Sequence, residues 1–246
     1  SGMPRLEEVR IEGPYNATGV SDMATRDRVM TCQPESVAEE DACAEEILTR
    51  LAKRAFRRAI TEDDIAAPLA FYKNERASGG DFDQGIRASV ARMIVSPFFL
   101  FRVETDATDT PDGTDQMVNG YELASRLSFF LWSSMPDDEL FELAESDAIK
   151  DADTRVAQVE RMLADPRANS LIENFALAWL NLDELDAVQP TEQGFNDAMR
   201  TNFEREIRLF LASVLLENRS VHELLTADWT YLNDSLARHY GIEGVL

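Results

Sequence analysis

The sequence predicts a mainly α protein of about ten helices, packed as two helical sub-bundles behind a short N-terminal strand or extended arm. Three observations carry this. From Asp41 onward the apolar residues recur with a helical period. Hydrophobic residues make up 44 % of the chain and aromatics 9 %, enough for a packed core. A run of acids with no Lys or Arg between residues 104 and 119 divides the helical pattern in two.

Ser1-Gly2-Met3 reads as a tag-cleavage scar. Glu8 to Glu12, where Val9 and Ile11 alternate with charge, is the single strand-like stretch, and Gly13-Pro14 breaks it. Tyr15 to Arg28 is polar and rich in small residues, an extended arm. Residues 1–40 therefore form the arm, and 41–104 the first helical domain. In it, Ile47, Leu48, Leu51, Ala55 and Phe56 mark one helix face. Thr61, with Asp64 three residues on, caps a helix through about Glu75, which Pro68 is placed to kink and Gly79-Gly80 to end. Asp83 to Val95 is the next helix, and Ser96-Pro97 restarts the chain before Phe98-Phe99-Leu100-Phe101.

Residues 105–118 read as an acidic linker containing Asp106, Asp109, Asp112 and Asp115 beside Pro111 and Gly113. A calcium loop turning on Gly113 would need Asp at Thr108 and Thr110, so a solvated linker is the better reading. Residues 119–246 form the second helical domain. Leu123, Ala124, Leu127, Phe130 and Leu131 mark its first helix, and Pro136 and the acids after it start another. Val156, Val159, Met162 and Leu163 mark a helix ending at Asp165-Pro166. Leu171, Ile172, Phe175, Trp179 and Leu180 mark the next. Phe203 to Leu215 lie in the longest, from about Asn196 to Glu217, and Leu224-Leu225 and Leu236 to Tyr240 suggest two short ones. The chain stops without a capping element, as expected of a fragment of a longer protein.

Charge and composition exclude several functions. With 46 acids against 24 Lys and Arg, the net charge is −22, against a nucleic-acid face or an anionic membrane surface. No apolar run approaches the ~20 residues of a membrane span. Two histidines, His222 and His239, are too few for a His-rich metal site, and neither stands in a ligand motif. No CxxCH, GxSxG, GxGxxG or P-loop occurs, so no cofactor is assigned to this chain.

Cys32 and Cys43 are the only cysteines, too far apart for CxxC and without the further ligands of a zinc site. A disulfide pinning the arm to the first helix is the favoured reading, worth roughly 2–3 kcal/mol and implying an oxidising compartment; two unpaired buried thiols are the alternative. Arg50, Lys53, Arg54, Arg57 and Arg58 form the one basic cluster, an anion or partner site or, more simply, a face ion-paired with Glu45, Glu46, Asp63 and Asp64. Arg126 lies in an apolar helix one turn after Glu122, and Glu173 and Asn174 interrupt another apolar run. These four residues are a candidate polar cleft; the plainer reading is that they tie helices together. Trp132, Trp179 and Trp229 are expected in the core.

Long segments then resemble known domains. Cys43 to Leu48, Leu51 to Arg58, Gly85 to Arg87 and Met93 to Glu104 resemble a domain of unknown function numbered fifteen-ninety-five. Tyr121 to Asp137, Arg161 to Ala168, Glu173 to Phe175 and Tyr231 to Asn233 resemble its usual neighbour, numbered fifteen-ninety-two. Ala59 departs from the first pattern, which often has Pro after the two arginines. The resemblance implies large exported, extracytoplasmic proteins of planctomycetes and some myxobacteria, commonly carrying c-type cytochrome domains. Haem c is then expected in flanking domains, which would be the partners of this chain. No catalytic residue follows from the resemblance. The expected role is a helical scaffold or interaction module; the alternative is part of an oxidoreductase or carbohydrate-active enzyme with a polar cleft around Arg126 and Glu173.

Overall fold

The computed structural model describes residues 24–102, 104, 118–182, 185–187 and 195–244, and among these the fold is helical with no strand. The expected strand at Glu8–Glu12 and nearly all of the acidic linker lie outside the described residues.

The first block contains α1 (Ala24–Val29), α2 (Glu40–Phe56), α3 (Glu62–Ala77), α4 (Phe82–Ile94) and the single turn α5 (Pro97–Leu100). Residues 24–28, expected as extended arm, are helical instead. Their polar sequence is held by long-range contacts: both Asp83 carboxylate oxygens accept from Arg26 (2.9 and 2.8 Å), and Arg50 donates to the terminal carbonyls of Arg28 and Val29. α2 buries Cys43, Ala44, Ile47, Leu48, Ala52 and Phe56, the spacing of one helix face. The disulfide forms, with Cys32 and Cys43 Cα atoms 5.5 Å apart. At the start of α3 the Asp64 carboxylate accepts from the Thr61 N–H and hydroxyl, both at 2.9 Å. Pro68 sits inside α3 and buried; its carbonyl accepts from the buried Ser89 hydroxyl of α4 (2.7 Å). Asp81 and Gln84 cap α4 reciprocally.

The second block opens with α6 (Gly120–Trp132), where Asn119 and Glu122 form a reciprocal capping box (both 2.9 Å). Then come α7 (Asp138–Glu145), capped by Asp137, and α8 (Ala152–Ala164), capped by Asp151. The buried Trp132 indole donates to the Met162 carbonyl (2.9 Å) and ties α6 to α8. Next, α9 (Asn169–Leu171) runs through a π-helical turn (Ile172–Ala176) into α10 (Leu177–Trp179). α11 (Asp197–Leu216), α12 (Glu223–Thr226) and α13 (Asp234–Tyr240) complete the block.

Burial follows this division. One apolar cluster draws all its members from residues 29 to 93. Two others, around Trp132, Leu140 and Met162 and around Ile172, Leu177 and Leu211, meet at Leu216. The π turn re-phases the expected face. Its extra residue per turn makes Leu171, Ile172, Ala176 and Leu177 the buried positions and turns Phe175 and Trp179 outward. Trp179, expected in the core, is 59 % exposed. It stacks on Phe175, which meets the exposed Phe130 edge-on.

Candidate functional site

Two residues of the basic cluster, both on α2, reach the second block. Lys53 reaches Glu145 of α7 (2.8 Å) and Arg54 pairs with Asp138 of the same helix. Of the acids that flank the cluster in sequence, Asp64 takes Arg58 (2.9 Å). Arg57 ends α2 in the left-handed conformation (φ 55°) and donates to the carbonyls of Phe98, Phe99 and Phe101, which close the last turn of the block. Burial and then the nearby Arg102 push its pKa down.

Phe56, Arg57, Arg102, Glu104, Glu122, Ser125 and Arg126 line a small pocket at this seam, with a volume of about 40 Å³. Helix α6 supplies Glu122 and, one turn on, Ser125 and Arg126, which brings them to one side of the helix. Arg126 is not buried: its side chain is 54 % exposed and holds Glu104 through two hydrogen bonds, Nε to Oε1 at 2.8 Å and Nη2 to Oε2 at 2.6 Å. The hydrogen bond from Arg126 holds the Glu104 carboxyl below its usual range. Phe129 of α6 receives Arg57 and Arg102 over its ring, at 5.7 and 5.1 Å.

Glu122 and Arg126 are thus brought to one pocket. Glu173 and Asn174, on the π turn, take other partners: Glu173 pairs with Arg208 of α11, and the Asn174 amide donates to Ser133 Oγ (2.8 Å). Ser133 follows the last residue of α6, two turns beyond Arg126.

A second polar constellation went unsingled by sequence reasoning. Asp137 accepts from Arg161 (2.7 and 3.1 Å), Arg167 lies 3.6 Å from the same carboxylate, and both guanidinium groups lie over Trp132, at 5.4 and 3.5 Å from the ring centroid. A signal was present, since Asp137, Arg161 and Arg167 all fall in the segments that carry the family resemblance. Among the described residues no group of three or more His, Cys, Asp or Glu is placed to hold a metal ion, and no helix is long and apolar enough to cross a membrane. His222 contacts Ser220, and His239 packs edge-on against Phe203.

Fold and site together define an all-α protein whose two blocks are joined across a charged seam. The chain belongs to the family described as PSD4: Protein of unknown function (DUF1592), matched over residues 118–242. Residues 43–104 match the family described as PSD5: Protein of unknown function (DUF1595), so the seam lies between the two matched regions. Comparison with curated proteins and with solved structures finds no match.

Proposed function

We propose that this chain is a helical scaffold or interaction module of a larger exported protein that carries c-type cytochrome domains, with no reaction of its own. The observation that carries the reading is where its charged groups are spent. Lys53, Arg54, Arg126 and Glu173 each hold a side chain of another element, and the seam pocket of about 40 Å³ has room for only a few atoms. A body tied in this way suits holding neighbouring domains at fixed positions. The outward strip of Phe130, Phe175 and Trp179 gives it apolar area for contact with them. The Cys32–Cys43 disulfide is compatible with an extracytoplasmic setting, and the cytochrome neighbours come from the family resemblance alone.

The test uses the full-length polypeptide with its flanking domains. Chemical cross-linking should join this chain to a haem-bearing domain, and Arg126→Met should leave electron transfer unchanged wherever circular dichroism shows the variant folded. A folded Arg126→Met protein that has lost turnover would overturn the scaffold reading in favour of an enzymatic cleft.

A further inference from the structure

We propose that the seam pocket binds a small oxyanion, a carboxylate or phosphate group, held by Arg102, Arg126 and Ser125. The inference goes beyond the scaffold reading and does not depend on it. Three arginines, Arg57, Arg102 and Arg126, line the pocket against two glutamates, Glu104 and Glu122. The surplus is positive in a chain whose net charge is −22. Such a local excess of cations inside an acidic protein is set to select an anion that the rest of the surface repels.

The donors available to a ligand are identifiable. Arg126 commits Nε and Nη2 to Glu104, which leaves Nη1. Arg102 makes no hydrogen bond among the described residues and rests over Phe129. Ser125 is only 6 % exposed, lines the pocket, and its hydroxyl has no hydrogen-bond partner among the described residues. A buried hydroxyl left unpaired is costly, and an acceptor oxygen in the pocket would satisfy it. Arg57 stands behind as a fixed charge, its Nη1 and Nη2 donating to backbone carbonyls. Burial first, and then the Arg102 charge, push its pKa down, and a bound anion would offset the Arg102 repulsion. A volume of about 40 Å³ exceeds the roughly 15 Å³ that one water needs, and suits a group of a few heavy atoms. Bidentate capture of Glu104 by Arg126 shows carboxylate recognition already at work in the site.

The test is titration calorimetry on the intact chain at constant ionic strength, with sodium acetate in one arm and sodium phosphate in the other. Saturable one-site binding of at least one anion is expected, in the millimolar range. The arm that binds more tightly tells a carboxylate source from a phosphate source. Arg102→Gln should weaken binding about tenfold or more, because it removes a charged donor. Ser125→Ala should weaken it less, and Arg87→Gln, on the exposed side of α4, should leave it unchanged. No saturable binding in either arm overturns the proposal, and so does equal weakening by Arg102→Gln and Arg87→Gln, which marks a general charge effect. Should Arg102→Gln fail to fold, unchanged affinity in Ser125→Ala overturns it independently.

Discussion

Trp132 carries two guanidinium groups over its ring, and two carboxylates keep them there. Asp165 accepts from the Arg167 guanidinium (2.9 and 2.7 Å) and from the Arg167 N–H (2.8 Å), which hold its pKa down at about 2. Burial alone would raise Asp137; Arg161 and the Leu140 N–H, with the charges of Arg161 and Arg167, outweigh it and keep the carboxyl below its usual range. The linkage sign follows. Each group binds its proton more weakly folded than unfolded, so its stabilisation is complete above the ordinary value near 3.8 and fades as pH falls. Asp165→Asn should lower the melting temperature at pH 6, and the gap to wild type should close between about pH 4 and pH 2. A gap of constant size across that range would mean that Asp165 acts through shape and not charge. Little of this was legible in the sequence. Asp137 stood out as an acid at a helix start, which it caps, and Asp165 only as a helix end, but their second use depends on Trp132, Arg161 and Arg167 meeting across three elements.

At the scale of elements, close approach and covalent closure matter most. Gly85 lets α4 pack against α3: a Cβ there would stand 2.6 Å from the ring of Tyr72, which is 1 % exposed and cannot retreat. Gly85→Ala gains about 1 kcal/mol of helix propensity but overpacks the contact at about 1–3 kcal/mol. A lower denaturation midpoint in urea is expected, and a rise would show that the ring yields. The Cys32–Cys43 bond closes a loop of 11 residues and fixes the segment that brings Met30 into the first core. In the chain-entropy model it contributes roughly 3 kcal/mol. Reduction, or Cys32→Ser with Cys43→Ser, should lower the unfolding free energy by about that amount; no change would mean that the segment stays docked without it. The helices themselves were largely legible, because Thr61, the acids after Pro136 and Asn196 mark starts and the 3.6 period fills them in, whereas the caps Asn119 and Asp151 did not stand out. Sequence periodicity failed at the π turn, where Leu171, Ile172, Phe175 and Trp179 fit a regular helix and the inserted residue turns the aromatics outward.

Across the whole molecule the question is how so acidic a chain keeps two blocks together. The basic cluster was visible in the sequence, and so was Asp64 as a partner, but the partners of Lys53 and Arg54 were not, since Glu145 and Asp138 lie 92 and 84 residues away. No local pattern relates residues that distant. Nor did sequence reasoning connect Arg126 to Glu104, which lies at the edge of the acidic linker. These pairs are partly exposed, and each is worth about 0–1 kcal/mol. Against them stands the self-repulsion of 22 excess negative charges, which acts over much longer distances. Salt separates the two effects. At ~0.15 M the Debye length is about 8 Å. The Lys53–Glu145 and Arg126–Glu104 contacts, at 2.8 and 2.6 Å, lie well inside it, whereas the repulsion of a large net charge sums over longer distances. Added sodium chloride therefore screens the repulsion more than the seam. The melting temperature should rise between about 0.01 and 0.15 M and then level off. A steady fall over the same range would mean that the ion pairs outweigh the self-repulsion.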